Sequence, residues 1–181
     1  IQFTPSLSDE KIEAISGGYN YAPSTRVFMQ FANRFWESEG LNGWGNTDWP
    51  EEIWHPTWDR EGPKGILMSY MYYGRAVELD QLIEEDRIQH VLNRWDSVFP
   101  GVYDHVENGV SHSWALQEWS GGAWASPTAD QDEALAAHIG AAEGRIHFAG
   151  EHASDNHGWM QGALVSGLRA AMEIHTGDLY L

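Results

Sequence analysis

The 181-residue chain contains no cysteine, which excludes disulfide bonds and thiolate metal sites. It also has few basic residues: 10 lysines and arginines stand against 27 aspartates and glutamates, so the formal charge is -17. Nucleic acids and anionic membrane surfaces bind basic protein faces, and this charge argues against both as partners. No apolar run in the sequence approaches the length that spans a membrane.

A further absence concerns cofactors. The G-x-G-x-x-G pattern that joins a strand to a helix in dinucleotide-binding units does not occur in the sequence. The chain begins with Ile1 rather than methionine, and we expect it to be a processed piece of a longer polypeptide. Its 10 tryptophans are many for this length, and indole rings can either fill a core or wall a ligand site.

Hydrophobic periodicity predicts a mixed α/β chain of the α+β class. Apolar alternation predicts strands and helical spacing predicts helices; the strands are expected over 24–32, 65–73 and 102–119, and the helices over 9–15, 83–98 and 130–140. Ser8 is the candidate N-cap of the first helix, and Gly17-Gly18 ends it. Residues 35–63 are rich in Gly, Pro, Asn and Asp, which indicates turns and short extended pieces such as 52–55.

One stretch near the C-terminus combines three elements. The apolar run 146–149 predicts a buried strand, the polar residues 151–157 predict a loop, and a helix is expected from Gly158 or Trp159. Small side chains then recur at three- and four-residue steps on one helix face: Ala163, Ser166, Gly167 and Ala170.

Glycine inside that helix needs a reason, because it costs roughly 1 kcal/mol against alanine. Gly162 and Gly167 therefore suggest that something approaches the helix backbone closely. Two interpretations fit this pattern. The strand, loop and helix N-terminus could cradle an electron-rich planar ligand, or the helix and strand could simply pack tightly with nothing bound.

The stretch resembles the C-terminal signature of the flavin-dependent amine and amino-acid oxidases. The matching motifs are Phe148-Ala-Gly-Glu151, His157-Gly-Trp159, Gly162-Ala163 and Ser166-Gly-Leu-Arg-Ala-Ala171. Weaker similarity covers residues 24–36, the turn Thr47-Asp48-Trp-Pro50 and residues 66–74, and the similarity is strong from about Trp114 onward, including the segment from Trp114 to Trp124.

The resemblance implies the C-terminal fragment of a two-domain, FAD-linked amine oxidase fold. Residues 1–100 would belong to the substrate-binding domain, which is built on an antiparallel sheet. Residues 101–181 would return to the FAD-binding domain and supply its last strand and helix, with the flavin-contacting unit at 145–176. FAD binding would require other chains of the same processed precursor. Members such as L-glutamate oxidase are secreted and built from several chains, so we expect secretion and a dimer of the assembled protomer.

The resemblance also implies roles at the substrate. Trp124 and Trp159 would face each other as an aromatic cage in front of the flavin, although both could be core residues. The carbonyl of Gly158 would accept a hydrogen bond from the substrate amino group. Tyr70 would bind the α-carboxylate and Tyr72 would wall the cavity, although strand tyrosines are also common core residues.

On the flavin side, the resemblance implies contacts from Gly150 and from Glu151, whose carboxylate would lie near the ribityl chain. Met160 would offer its backbone N–H to the flavin O2 atom. Trp114 and Trp119 would flank the edge of the isoalloxazine ring, or serve packing.

Two positions depart from the family pattern. Arg26 aligns with the family's lysine, which holds a water beside the reactive flavin nitrogen; arginine could do a related job, bind substrate or be a surface charge. Ala123 stands where monoamine oxidases carry the cysteine that bonds to FAD, which implies non-covalent FAD. His147, His152 and His157 invite a metal interpretation, but their spacing matches no common ligand pattern.

The implied reaction converts an α-amino acid, O2 and water to a 2-oxo acid, ammonia and hydrogen peroxide, with L-glutamate as the expected substrate. A monoamine or polyamine oxidase of the same family is the alternative. A non-catalytic tryptophan-rich module that stacks ligands on exposed indoles is the alternative from another class.

Overall fold

A computed structural model describes residues 1–48 and 51–177. Its helices are α1 (Asp9–Glu13), α2 (Phe35–Ser38), α3 (Gly74–Asp80), α4 (Glu84–Trp95), α5 (Ala129–Ile139) and α6 (Met160–Thr176). Its strands are β1 (Tyr21–Ala22), β2 (Ser24–Phe31), β3 (Gly45–Asn46), β4 (Glu52–Trp54), β5 (Gly65–Tyr72), β6 (Val106–Ser113) and β7 (Trp124–Ala125). The chain forms two compact units, one of Ile1–Ala22 with Gly122–Leu181 and one of Pro23–Gly121.

The unit Pro23–Gly121 is built on an antiparallel sheet with the strand order β3-β4-β5-β2-β6. The side chains of β2 alternate: Val27, Met29 and Phe31 are fully buried, and the residues between them are half-buried. The buried face packs against α4 through Val91 and Trp95. The predicted α+β class with an antiparallel sheet is confirmed.

The opposite face of this sheet, which we term the open face, carries polar and aromatic side chains. Its members include Arg26, Phe28, Glu52, Trp54, Tyr70, Tyr72 and His112. They share one face because cross-strand partners in a ladder point to the same side of a sheet.

The other unit joins the two ends of the chain. Tyr21 pairs with Ala125 and Ala22 with Trp124 in the two-stranded β1–β7 ladder. Lys11, on α1, is buried, and its Nζ donates to the carbonyls of residues 139 and 141 at the C-terminal end of α5, each at 2.8 Å. Free carbonyls at a helix end attract a cation, so this lysine fixes α1 to α5 although burial lowers its pKa.

Most predicted elements are present with shifted ends. Ser8 caps α1 as expected, with its side chain accepting the N–H of Lys11, and α6 begins at Met160. The short helices α2 and α3 were not predicted: α2 lies where turns were expected, and α3 lies between the predicted strand 65–73 and the predicted helix 83–98. Positions 49 and 50 of the predicted turn Thr47-Asp48-Trp-Pro50 lie outside the described residues.

The predicted buried strand over 146–149 is wrong. Ile146 forms one isolated bridge, to Glu143, and Ala149 is exposed. A strand needs a neighbouring strand along its length, and among residues 1–48 and 51–177 no strand runs beside this segment.

The compact units also divide the chain at other residues than the predicted domains 1–100 and 101–181. The β1–β7 ladder explains the difference, because it draws the N-terminal residues to the C-terminal half. The domain division of the complete protein stays a prediction. No helix in the described part of the chain is long and apolar enough to span a membrane.

The buried carboxyl group of Glu51 makes the stability of the fold depend on pH. Its side chain is 1% exposed, Oε1 accepts from Trp95 Nε1 at 3.0 Å, and burial raises its pKa. The folded state therefore binds this proton more tightly than the unfolded state, and stability is lost as pH rises above the ordinary glutamate pKa of about 4.3. Glu51→Gln should raise the melting temperature by about 2–4 °C per kcal/mol recovered, and the gain should be larger at about pH 8 than at about pH 5. Thermal unfolding followed by near-UV circular dichroism at both pH values measures this gain. An equal rise in melting temperature at the two pH values would contradict the raised pKa of Glu51.

Candidate active site

The carboxylate of Glu151 joins two segments that are distant in sequence. Its Oε1 accepts the backbone N–H of Ala125 at 2.9 Å, and its Oε2 accepts the N–H of Gly158 at 2.6 Å. These amides adjoin Trp124 and Trp159, the two predicted cage residues. One charged acceptor therefore fixes the backbone beside both indoles, and hydrogen bonds to a charged acceptor are stronger than neutral ones.

Gly158 lies against the indole of Trp124. Its φ is 75°, which strains any larger residue, and a Cβ built on it would lie in van der Waals contact with Trp124 Cδ1 at 3.4 Å. Trp159 follows with 65% of its surface exposed, and Met160, the first residue of α6, is 80% exposed. The predicted site residues of this unit thus gather at the N-terminus of a long helix, whose first N–H groups have no intrahelical partner.

The small-residue face of α6 packs on the chain's own loop. A Cβ on Gly162 would overlap the carbonyl of Asn156 and the hydroxyl of Ser154. At this position the tight-packing interpretation is correct, whereas Gly167 meets only open space. Ala163, which was predicted on the same face as Ser166, is exposed.

Ser166, by contrast, lies on the packed face of α6 as predicted, and its hydroxyl holds Gly150. Ser166 Oγ accepts the N–H of Gly150 at 3.0 Å and lies 2.7 Å from the Gly150 carbonyl oxygen. Gly150 has a φ of 152°, and a Cβ there would overlap the ring of His152. The turn before Glu151 is therefore built for glycine.

On the open face of the other unit, Arg26 stacks on Tyr70. The guanidinium carbon lies 4.3 Å from the centre of the phenol ring, and the β2–β5 ladder places the two residues directly opposite each other. The ring of Tyr72 meets that of Tyr70 edge-on at 5.6 Å. Arg26 Nε is buried and has no hydrogen-bond partner in the described residues. A cation beside a phenol is a fitting environment for a carboxylate.

The two remaining predicted tryptophans lie in the turns after β6. The ring of Trp114 contacts His112 edge-on at 4.6 Å, and Trp119 is 82% exposed. The flavin-edge role of both residues stays a prediction.

The histidines of the C-terminal stretch have separate partners. His147 Nδ1 lies 2.8 Å from the buried carboxylate of Glu173, which also pairs with Arg169 at 2.6 Å. These two contacts lower the pKa of Glu173. His157 Nε2 meets the hydroxyl of Tyr19 at 3.1 Å. In the described part of the chain, His, Cys, Asp and Glu form no group of three or more that could hold a metal ion.

Sequence reasoning missed one feature of the open face. Glu52 faces Tyr70 across the β4–β5 ladder, and Trp54 Nε1 donates to Glu52 Oε2 at 2.8 Å. The alternation of Glu52, Ile53 and Trp54 was the available signal, because a strand that buries Ile53 must turn both neighbours to the other face.

Comparison with known proteins identifies the family. Residues 1–175 match the family model of the flavin containing amine oxidoreductases. The chain belongs to this family.

Among its relatives, YobN of Bacillus subtilis (strain 168), a candidate L-amino-acid oxidase, is 37% identical over 161 residues, which are 86% of this chain and 34% of that protein. The L-amino-acid oxidase of Siganus canaliculatus is 33% identical over 99% of this chain and 35% of its own length. The chain therefore spans about a third of the length of these curated relatives.

Solved structures share the fold. Cyclohexylamine oxidase from Brevibacterium oxydans IH-35A superposes with a TM-score of 0.81 at 19% identity, over 98% of this chain and 40% of that one. Wild-type putrescine oxidase bound to putrescine gives a TM-score of 0.81 at 21% identity, over 97% of this chain and 40% of that one. At these identities the likeness concerns the fold alone.

The residues present fit a flavin, the group that gives the family its description. Gly158 brings the backbone before α6 against the indole of Trp124, and the exposed Trp159 and Met160 provide apolar surface beside the free amides of α6. A flat ring with a polar, electron-rich edge matches such a surface.

Glu151→Gln should destabilise this arrangement. The amide group offers one acceptor atom where the carboxylate offers two, so the N–H of Ala125 or Gly158 loses its partner at a cost of about 1–3 kcal/mol. We expect a lower melting temperature and a changed near-UV circular dichroism signal from tryptophan in the flavin-containing protein. Asp155→Asn, an exposed acid in the same loop, is the matched control. A Glu151→Gln protein indistinguishable from this control would contradict the bridging role.

Proposed function

We propose that the chain is part of an FAD-dependent L-amino-acid oxidase. The observation that carries the proposal is the Glu151 carboxylate, which holds the backbone beside Trp124 and Trp159 at the N-terminus of α6. The identity of 33% and 37% to proteins named as L-amino-acid oxidases supports an amino acid rather than a simple amine. The Arg26–Tyr70 stack supports the same choice, since it offers a cation and a hydroxyl to a carboxylate.

The substrate would be bound by aromatic side chains, a backbone carbonyl and a cation. The indoles of Trp124 and Trp159 orient the substrate amine between flat walls, which removes rotational freedom before reaction. The carbonyl of Gly158 accepts a hydrogen bond from the neutral amine. Tyr70 and Arg26 bind the α-carboxylate, and Tyr72 closes the wall beside them.

On the flavin side, Glu151 and the backbone N–H of Met160 hold the cofactor with Gly150, and Trp114 and Trp119 flank its ring. The chemistry that bound FAD supplies is two-electron oxidation of the amine, with O2 as the final acceptor and hydrogen peroxide as the product. The imino acid leaves the site and is hydrolysed to a 2-oxo acid and ammonia. Ala123 carries no thiol, so the proposal includes non-covalent FAD.

The dinucleotide-binding unit would come from other segments of the same precursor. The chain lacks the Gly-rich pattern for it and spans about a third of its relatives. Proteolytic processing, a dimer of the assembled protomer and secretion stay predictions from the family resemblance.

A peroxide-coupled assay of the purified complete protein against L-amino acids, D-amino acids and simple mono- and diamines tests the proposal. We expect a yellow flavin spectrum, release of the flavin on denaturation and turnover of L-amino acids. A flavin-free protein that stays inactive after incubation with FAD would contradict the proposal and favour a binding module. Turnover of amines alone would favour a monoamine or polyamine oxidase.

Tyr70→Phe tests the carboxylate role. Removal of a hydrogen bond to a charged group costs about 1.5–3 kcal/mol, so KM for L-amino acids should rise roughly tenfold or more. The rate at saturation and the flavin content should change little. Tyr103→Phe, a change at an exposed tyrosine of the same unit, is the control and should leave KM unaltered. Unchanged KM in Tyr70→Phe would remove this residue from carboxylate binding.

A further inference from the structure

An acidic side chain lies in the aromatic wall of the open face. Glu52 Oε2 accepts from Trp54 Nε1 at 2.8 Å, and Glu52 Oε1 accepts from the hydroxyl of Tyr72 at 3.4 Å. The side chain is half-buried and lies directly opposite Tyr70 in the β4–β5 ladder. Both contacts fix the position of the carboxylate.

Neither contact neutralises the charge, because an indole N–H and a phenol are uncharged donors. Across residues 1–48 and 51–177, no lysine, arginine or histidine forms an ion pair with Glu52. A ligand that covers this face would take water away from the carboxylate. An uncompensated charge is costly to desolvate, so a ligand that brings a cation is favoured over one that does not.

The row across the sheet is polar from end to end. Glu52, Tyr70 and Arg26 stand side by side on three adjacent strands, with the acid at one end and the guanidinium at the other. Neighbouring strands lie about 4.8 Å apart, so the two outer backbones are separated by roughly 10 Å. A complementary ligand has a carboxylate near Arg26 and a cation near Glu52. An extended amino acid with a cationic side chain has this charge pattern.

The aromatic rings add to this preference. The faces of indole and phenol rings attract ammonium and guanidinium groups, and Trp54 and Tyr72 both adjoin the carboxylate. Burial and the nearby Glu52 raise the pKa of Tyr72, so its hydroxyl remains a donor toward the carboxylate.

We propose that Glu52 determines substrate specificity by binding the distal ammonium or guanidinium group of a basic L-amino acid. This inference rests on the proposed oxidase function. It replaces the L-glutamate expected from the family resemblance, because the second carboxylate of glutamate would meet the carboxylate of Glu52. The competing explanation is structural: Glu52 would only orient Trp54 and Tyr72, and would act on all substrates alike.

The test compares two substrates with the same carbon chain in the complete flavin-containing protein. L-norleucine has the carbon skeleton of L-lysine and carries a hydrogen where L-lysine carries the terminal ammonium group. We expect kcat/KM for L-lysine to exceed that for L-norleucine by about tenfold or more, the ratio that one favourable charge contact of about 1.4 kcal/mol gives. L-glutamate should be the poorest of the three.

Glu52→Gln should lower kcat/KM for L-lysine about tenfold, mainly through KM, and leave L-norleucine within about twofold. Glu52→Lys should invert the order of L-lysine and L-glutamate. Glu61→Gln, a change at an exposed acid of the same unit, is the control. Calorimetric titration with 2-methyl-lysine and 2-methylnorleucine, which lack the reacting hydrogen, measures binding without turnover. Glu52→Gln should weaken the affinity for 2-methyl-lysine and leave the affinity for 2-methylnorleucine nearly unchanged.

The outcomes separate the two proposals. Turnover of L-norleucine without a preference for L-lysine overturns the role of Glu52 and leaves the oxidase intact. An equal effect of Glu52→Gln on L-lysine and L-norleucine establishes the structural explanation and overturns the specificity role. A complete protein that oxidises no amino acid overturns the oxidase function and the inference that rests on it.

Discussion

The register of β2 between β5 and β6 is the constraint on which the open face depends. Val27, Met29 and Phe31 must point into the core, and the side-chain period of a strand is two residues. Arg26 is therefore held on the other face, opposite Tyr70. A slip of one residue would bury a guanidinium among apolar side chains and expose three core residues, so hydrophobic burial specifies the position of the polar row.

The unit of the two chain termini follows a different principle. It has a small core, in which Leu135 and Ile139 of α5 pack with Tyr19, and its site segments are loops. Polar contacts hold these loops: Glu151 binds two backbone amides, and Ser166 binds Gly150. An acceptor that fixes two segments couples their positions, so the backbones beside Trp124 and Trp159 are fixed together rather than separately.

The sequence predicted the structure correctly where a local pattern determines it. Alternation located β2 and β5, the Ser8 cap located α1, and Ser166 and Ala170 marked the packed side of α6. The sequence was insufficient to predict elements whose structure depends on a partner that is distant along the chain. The run 146–149 has the apolar composition of a strand, yet strand formation requires a neighbour that the described residues do not supply. The pairing of β4 with β5 brings Tyr70 and Tyr72 to Glu52, and no local pattern predicts that contact.

The exposed side of α6 bears on how this chain functions. Gly162, Ser166 and Ala170 are buried within the unit, while Leu164, Val165 and Leu168 are exposed, Leu164 by 73%. A helix that is apolar on its exposed side as well as its packed side is typical of a protein interior. The chain spans about a third of the length of its relatives. In the proposed oxidase, the segments that carry the dinucleotide-binding unit would also cover this side of α6, next to the exposed Trp159 and Met160.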